Sequence, residues 1–227
     1  MYSLFKRVVD IIFSIIGIII SAPILIFFIL VIFVTGESSP VFITYRVGKN
    51  NMLFRMFKLR TMKRHKEKEM MNSPLTAYND ERISFLGKFL RFSKIDELPQ
   101  FFNILNGDLS FVGPRPLLPE VFDYYDEKTK KILSKMTPGV TGIASLVFRD
   151  EHSLFSKTNL SHEEFYKKEI APAKGKLEHW YFHNKGFWID LKILIFTVVH
   201  VLFGQIVTIK KIFKGIPVSI QEIEEGL

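Results

Sequence analysis

The chain contains no cysteine, and this absence excludes whole classes of structure and chemistry. Disulfide-stapled folds, cysteine-ligated zinc sites and thiol nucleophiles all require that residue. The sequence also lacks a Walker A loop, a GxGxxG loop, the HExxH zinc motif and the GxSxG serine motif. Its histidines show no tight metal-ligand spacing except His179 and His183, and that pair equally suits an interfacial helix.

Apolar residues make up 48% of the 227 positions, which excludes wholesale disorder, and 23 phenylalanines suit contact with lipid or a very apolar core. The net charge of +8 is concentrated in one stretch. Residues 46–94, the basic segment, carry 13 Lys or Arg against 4 Asp or Glu, whereas the remainder carries 18 against 19. Such a segment attracts the phosphates of anionic lipid, nucleic acid or a nucleotide, unless it is simply a solvated face.

Residues 11–34 form a run of 24 residues without any charge. As a straight helix it would measure ~36 Å, enough to span a bilayer. Pro23 divides it into halves of 12 and 11 residues and predicts a kink, which the Ser21 hydroxyl could stabilise. Positive residues mark the cytoplasmic side, and they occur both before the run, at Lys6 and Arg7, and after it. A re-entrant helix bent at Pro23 fits both flanks, and a simple kinked span is the alternative.

Alternating β-branched and aromatic residues predict a hairpin, with strands over residues 41–46 and 53–60 and a turn at 48–51. The charged residues 63–71 predict a helix, and residues 72–80 predict a loop. Small β content is therefore expected in a chain that is otherwise mostly helical.

Two further helices and two rigid turns are expected next. The apolar stripe of residues 85–91 predicts a helix that lies in the membrane interface or against a core. A helix is also predicted from Pro99 to Asn106, since proline favours a first turn and glycine follows at the end. The proline-rich residues 113–116 predict a rigid loop that presents Arg115, and residues 137–142 predict a second turn.

The last apolar stretch, residues 193–207, is interrupted in its neighbourhood by Asp190, Lys192 and His200. Its uncharged length is too short to favour spanning, so we expect surface attachment beside the aromatic residues that precede it. The acidic tail after Gly215 is expected to be mobile.

The adjacent Asp96 and Glu97 are the most informative acidic residues. Most such pairs in a basic segment form surface ion pairs. This pair, however, is expected at or beside a helix N-terminus, where free N–H groups favour anions and phosphate. A carboxylate can act as a nucleophile toward a phosphoryl group. Mg²⁺ together with Arg or Lys usually screens the repulsion between the carboxylate and the diphosphate.

Several short motifs occur in a defined order along the chain. They are Phe5-Lys6-Arg7 with Asp10, residues 46–48, residues 57–62, Asp-Glu-Leu-Pro-Gln at 96–100, Asn-Gly-Asp-Leu-Ser at 106–110, Val-Gly-Pro-Arg-Pro at 112–116, Pro-Gly-Val-Thr-Gly at 138–142 and residues 190–194. With these motifs the chain resembles the bacterial sugar transferases of the small monotopic phosphoglycosyl transferase type. The resemblance covers about residues 5–200, and its block at 96–116 is the most specific part.

The resemblance implies transfer of a sugar 1-phosphate from a UDP-sugar to polyprenol phosphate, through a covalent phosphosugar intermediate on Asp96. It implies Glu97 as a base or metal contact, with Mg²⁺ as cofactor held at Asp96 and Glu97. Arg115 matches a phosphate-contacting arginine, and Arg149 falls where family members carry an arginine proposed to meet the substrate. Lys58 and Arg91 of the basic segment are further phosphate-binding candidates. Pro23 matches a helix-breaking proline, although Ala22 stands where the family commonly has serine, one position after Ser21.

The expected fold is α+β and mostly helical, with a re-entrant anchor at residues 1–36, a cytosolic catalytic domain with interfacial helices at 37–207 and a tail at 208–227. The expected location is the cytosolic face of a bacterial inner membrane, with no nucleic-acid partner and an open oligomeric state. A non-catalytic basic scaffold on anionic lipid is one rival interpretation. A direct-transfer enzyme, in which Asp96 and Glu97 only hold metal, is the other.

Overall fold

The structure, a computed structural model, describes residues 2–35, 39–63, 82–149, 151–155, 160–203 and 209–217. Most of the helix predicted at 63–71, the loop predicted at 72–80 and the end of the acidic tail lie outside these residues. The chain divides into two compact units. The first contains Ser3–Arg46 and Leu53–Leu109, and the second contains Tyr2, Val47–Met52 and Ser110–Leu227.

The described chain is mostly helical with little β structure, as predicted. Its elements are α1 (Tyr2–Val34), β1 (Val41–Val47), β2 (Leu53–Leu59), α2 (Phe85–Phe92), α3 (Gln100–Asn106), β3 (Ser110–Val112), α4 (Pro119–Phe122), α5 (Glu127–Leu133), β4 (Gly139–Thr141), α6 (Ile143–Val147), α7 (Glu151–Phe155), α8 (His162–Phe165), α9 (Ala171–Asn184), α10 (Phe187–Phe203) and α11 (Ile209–Ile212). A 3₁₀ turn, Ile95–Glu97, lies between α2 and α3, and a π-helical turn, Tyr166–Ile170, joins α8 to α9.

Helix α1 continues through Pro23 for 33 residues. Proline lacks the N–H that would bond to the Ile19 carbonyl. The Ser21 hydroxyl donates to the Ile18 carbonyl at 3.5 Å, so it bonds one residue away from the carbonyl that Pro23 releases. Among the described residues, α1 alone is long and apolar enough to cross a membrane. Only 17% of its most apolar window is buried, unlike the core helix of a soluble protein.

One stripe of α1 is buried along nearly the whole helix. Its buried residues, spaced by four or seven positions, are Asp10, Ser14, Ser21, Leu25 and Ile32. In the C-terminal half, Leu25 and Ile32 form an apolar cluster with Leu59 of β2 and Leu90 of α2. In the N-terminal half, a Cβ on Gly17 would meet the Phe101 ring at 2.8 Å. Helix α1 therefore packs on α2, α3 and β2 within the first unit.

The predicted hairpin is confirmed, since β1 and β2 are neighbours in a two-stranded sheet. Its loop has Asn50 and Asn51 at positive φ, a conformation that asparagine tolerates. The helix predicted from Pro99 is α3, and Gly107 (φ 93°) ends it as expected. On α2, Leu90 is buried, whereas Phe85, Phe89 and Phe92 are exposed, so the helix carries a core side and an aromatic outer side.

In the second unit, β3 and β4 form a parallel pair that the sequence analysis missed. Ser110 is paired with Gly139, and Val112 with Thr141. The turn predicted over residues 137–142 is therefore wrong in its middle, because Gly139–Thr141 is extended and bonds to a neighbouring strand. Helix α9 packs against α5 and α6, and α10 packs against α6, β3 and β4. Helix α10 exposes Trp188, Ile195, Val198 and Val201.

Candidate functional site

The 3₁₀ turn Ile95–Glu97, hereafter the Asp96 turn, carries both acidic residues just ahead of α3, as predicted. Ile95 and the following Leu98 pack against the apolar cluster that includes Leu25 and Ile32 of α1. Lys94 precedes the turn in the left-handed backbone region, and its carbonyl accepts the Glu97 N–H at 3.2 Å. The packing of Ile95 and Leu98 and the backbone hydrogen bond hold the turn in place, and Asp96 is only 6% exposed.

The pKa of Asp96 is subject to opposing influences, because burial disfavours the ionised carboxylate and nearby cations favour it. Burial raises the pKa of its carboxyl, and neighbouring Glu97 adds to that increase. The positive charges of Lys58, Lys94 and Arg91 act in the opposite direction. The structure therefore brings three of the predicted site residues, Lys58, Arg91 and Glu97, close enough to Asp96 for their charges to act on it.

Lys58 and Glu97 form a direct ion pair. The Lys58 ammonium lies 2.7 Å from Glu97 Oε1, and both side chains are about one fifth exposed (20% and 21%). Arg91 is held differently, because its Nε donates to the buried Thr61 hydroxyl at 2.8 Å. With three cations against two carboxylates, the described residues around Asp96 carry a surplus positive charge that suits a phosphate ligand.

Asn103 positions β2 and was not recognised in the sequence analysis. It is completely buried on α3. Its carbonyl oxygen accepts the Phe57 N–H at 3.0 Å, and its amide donates to the Arg55 carbonyl at 2.6 Å. The side chain thus bonds to the strand backbone on both sides of Met56 and holds the segment that carries Lys58. Its partners lie more than 45 residues away on β2, so no local signal in the sequence identifies it.

Asp96 and Glu97 offer carboxylate oxygens, the type of ligand that Mg²⁺ prefers. Asp96 Oδ1 is buried and has no hydrogen-bond partner among the residues that the structure describes. Magnesium is typically bound through one or two carboxylates together with substrate phosphates. No group of three or more His, Asp or Glu suited to a metal occurs in the part of the chain that the structure describes. His179 bonds to Thr129 at 3.0 Å instead, and His183 bonds to the His179 carbonyl at 2.8 Å.

Arg115 belongs to the second unit, on the proline-rich loop after β3. The Gly113 N–H donates to Thr141 and the Gly139 N–H donates to Pro114, at 2.9 and 2.8 Å. A Cβ on Gly139 would lie 2.1 Å from the Gly113 nitrogen, so these backbones meet too closely for a side chain. The loop is rigidly held and its Arg115 side chain is exposed, as the sequence predicts.

Arg149 also belongs to the second unit and is exposed in the turn after α6. Burial lowers the pKa of His200 on α10, and the charge of Arg149 lowers it further, so these two side chains are neighbours. Glu151, two residues after Arg149, pairs with the buried Lys174 of α9 at 2.5 Å.

Comparison with known proteins identifies the family. Residues 1–204 match the bacterial sugar transferase family, and the chain belongs to it. It is 34% identical over 211 residues to the galactosyl transferase CpsE of Streptococcus agalactiae, covering 88% of this chain and 42% of the relative. It is 30% identical to the UDP-N-acetylgalactosamine-undecaprenyl-phosphate N-acetylgalactosaminephosphotransferase of Aeromonas hydrophila, covering 89% and 45%.

A third relative is closer in length. The UDP-glucose:undecaprenyl-phosphate glucose-1-phosphate transferase of Caulobacter vibrioides is 31% identical over 199 residues, which cover 87% of this chain and 69% of the relative. By contrast, the chain spans less than half the length of the streptococcal and Aeromonas proteins. The three relatives are named for different sugars, so family membership does not define the sugar.

Proposed function

We propose that this protein transfers a sugar 1-phosphate from a UDP-sugar to polyprenol phosphate, specifically undecaprenyl phosphate, and so begins the assembly of a lipid-linked glycan. The observation that carries the proposal is the buried Asp96, with an unpartnered Oδ1, surrounded by three cations. The named activities of the relatives, which act on undecaprenyl phosphate, support the same reaction class.

The proposed reaction has two displacement steps at one phosphorus. First, a carboxylate oxygen of Asp96 attacks the β-phosphorus of the UDP-sugar. The bond from that phosphorus to the bridging oxygen breaks, and UMP leaves with the electron pair. Second, an oxygen of polyprenol phosphate attacks the phosphorus of the phosphosugar on Asp96. The bond between that phosphorus and the Asp96 oxygen breaks, and Asp96 leaves as a carboxylate. The product is a polyprenol diphosphate sugar.

The residues around Asp96 have distinct proposed roles. Lys58 and Arg91 would stabilise negative charge on the transferring phosphoryl group, because fixed cations in a partly dry site act strongly on developing charge. Glu97 holds Lys58 in place through their ion pair. Asp96 and Glu97 would hold Mg²⁺, which supplies charge neutralisation between the carboxylate and the diphosphate when bound. In the second unit, Arg115 and Arg149 remain proposed phosphate contacts, argued from the sequence alone.

The packing of α1 supports a site on the membrane surface. The Asp96 turn rests on the C-terminal half of α1 through Ile95 and Leu98. In an ordinary span, the elements that contact α1 along its length would lie at membrane depth together with Lys58 and Arg91. Burying such charges in lipid is costly. We therefore propose that α1 is a re-entrant anchor that keeps its outer face in lipid and the catalytic face in the cytosol.

The deciding experiment is a UMP-release assay on membrane-bound protein with Mg²⁺ and a panel of UDP-sugars, with and without polyprenol phosphate. Asp96→Asn keeps the shape but removes the anion, so UMP release should fall by several orders of magnitude. Because burial raises the pKa of Asp96, its carboxyl lowers the stability of the folded state progressively as the pH rises above the unfolded value of 3.8, and the full penalty applies above the raised folded-state pKa. The amide variant should therefore melt at the same or a higher temperature at neutral pH.

Trapping separates the rival mechanisms. Without lipid acceptor, wild-type protein should retain a phosphosugar that a label in the sugar reveals, and Asp96→Asn should retain none. A direct-transfer enzyme would release UMP only when acceptor is present and would carry no label. A non-catalytic scaffold would release no UMP with any donor, and full activity of a folded Asp96→Asn protein would end the proposal for that residue.

A further inference from the structure

Lys94 has an unusual backbone conformation for a residue with a side chain. Its φ of 59° and ψ of 14° lie in the left-handed region, which non-glycine residues seldom occupy. Lys94 follows α2 directly, where its N–H donates to the Arg91 carbonyl at 3.3 Å, and glycine is the usual residue at such a helix end. The other described non-glycine residues at positive φ are asparagines, which tolerate the region better. A non-glycine residue in this strained conformation points to a functional role for its side chain.

The ammonium group of Lys94 is exposed and makes no hydrogen bond or ion pair with any residue that the structure describes. The neighbouring cations are engaged, since Lys58 pairs with Glu97 and Arg91 donates to Thr61. Burial raises the pKa of Asp96, and Lys94 is one of the cations whose charge opposes that increase. Lys94 is therefore within electrostatic reach of Asp96 while its ammonium stays accessible to a ligand.

We propose that Lys94 binds a phosphoryl oxygen of the substrate that reacts at Asp96. This inference rests on the proposed function and adds a residue to its site. Lys94 lies two residues before the proposed nucleophile Asp96. Its carbonyl accepts the Glu97 N–H, so both residues belong to the same hydrogen-bonded turn. A compact ammonium on a flexible chain suits a phosphate that changes position between two displacement steps. The phosphate contacted belongs to the sugar nucleotide or to the lipid acceptor.

Four substitutions at one position separate charge from backbone strain. Lys94→Gly removes both the charge and the strain, Lys94→Asn removes the charge with little strain, Lys94→Gln removes the charge and keeps the strain, and Lys94→Arg keeps both. The matched control is Lys88→Asn, on the exposed side of α2 and absent from the charges that act on Asp96. Each protein is assayed in detergent for UMP release without acceptor, for complete transfer to polyprenol phosphate and for melting temperature.

If Lys94 contacts a phosphate, replacing it with Gly, Asn or Gln should lower kcat/KM by ~10-fold or more, because a hydrogen bond to a charged group is lost. Lys94→Arg should retain more activity than these three uncharged variants, Lys88→Asn should stay near wild type, and Lys94→Gly should melt no lower. Loss of UMP release without acceptor assigns the contact to the sugar nucleotide. An unchanged first step with a raised KM for polyprenol phosphate assigns it to the acceptor.

Wild-type kinetics for Lys94→Gly and Lys94→Asn in both assays would overturn the inference while leaving the proposed function intact. Equal loss in all four variants, including Lys94→Arg, would show a purely structural role and also overturn it. A wild-type protein that releases no UMP from any donor would overturn the proposed function and this inference together.

Discussion

The proposed nucleophile Asp96 has to be ionised to act, yet its burial favours the neutral acid. Burial is the largest influence on its pKa, and it raises that pKa, whereas Lys58 is the largest influence in the opposite direction. The carboxylate is thus poorly solvated, and the cations oppose the resulting rise in its pKa. Lys58 also pairs with Glu97, so this one lysine links the two acidic residues.

Replacing Lys58 with methionine should move the acid limb of the pH–rate profile to higher pH. Without the opposing charge, burial and Glu97 raise the pKa of Asp96 further, and the nucleophile ionises only at a more alkaline pH. The measurement is kcat/KM for UMP release across pH, compared with Lys63→Met, which removes an exposed lysine from the same unit. An unshifted acid limb in a folded Lys58→Met protein would contradict this account.

The uncharged side chain of Asn103 should contribute substantially to the free energy of unfolding, because it makes two buried hydrogen bonds to β2. Asn103→Ala leaves the Phe57 N–H and the Arg55 carbonyl without their partner, and losing buried hydrogen bonds of this kind costs about 2–4 kcal/mol. Thermal unfolding in detergent should show the loss. Asn184→Ala is the matched control, because that asparagine is exposed and bonds only within its own helix at Trp180. Equal melting temperatures for the two variants would show that β2 does not depend on Asn103.

At the scale of elements, local patterns predicted the hairpin, α3 and the proline-rich loop because each depends on short-range chemistry. Alternating residues, Pro99 and Gly107 are local signals. The pairing of β3 with β4 could not be predicted in the same way, because it joins strands 29 residues apart in register. Three-residue strands carry too little alternation to stand out from turns. Asn103 was missed for the same reason, since its partners lie on β2.

Helix α2 was predicted to lie either in the membrane interface or against a core, and in the structure its apolar residues occupy two sides. Its sequence indicates one stripe, yet Leu90 is buried while Phe85 and Phe92 are 93% and 89% exposed. Ser84 begins the helix by accepting the Gly87 N–H at 2.9 Å. A Cβ on Gly87 would lie 2.1 Å from the Thr61 carbonyl, so the helix can approach the end of β2 only with glycine there.

Substituting Arg115 tests the loop after β3. Its rigid backbone presents a planar guanidinium that can bond to two phosphate oxygens together, whereas lysine offers a single point charge. Arg115→Lys should therefore lower kcat/KM clearly, by about tenfold or more, despite keeping the charge. Arg55→Lys, an exposed arginine on β2 outside the proposed site, is the matched control. Wild-type turnover of Arg115→Lys would remove the arginine from the proposed phosphate contacts.

For the molecule as a whole, the proposed membrane topology depends on α1. Both ends of the helix contact elements of the first unit. Arg7 donates to the Ile104 and Leu105 carbonyls at the end of α3, at 2.5 and 2.7 Å, and Ile32 packs near Leu90. A cation at these terminal carbonyls also suits the helix dipole. The outer face of α1 is apolar throughout, with Ile19, Ile20 and Phe27 more than half exposed. A helix with one packed side and one exposed apolar side agrees with the proposed re-entrant anchor.

Single-cysteine labelling tests this topology without removing any native thiol, because the chain has none. Ser3 and Ser93 are both exposed, the first near the start of α1 and the second beside the Asp96 turn. In the re-entrant form both positions face the cytosol. Ser3→Cys and Ser93→Cys should then resist an impermeant maleimide in intact spheroplasts and react fully once the membrane is opened.

An ordinary span predicts a different pair of results, because residue 3 and the Asp96 turn would lie on opposite sides. Ser3→Cys would then be labelled in intact spheroplasts while Ser93→Cys stays protected, and this outcome would refute the re-entrant proposal. Pro23→Ala extends the test, since proline disfavours a regular helix by ~3 kcal/mol. If Pro23 alone prevents spanning, Ser3→Cys should become accessible in that background. If Arg7 and the packing of α1 on the first unit dominate, Ser3→Cys should stay protected even without the proline.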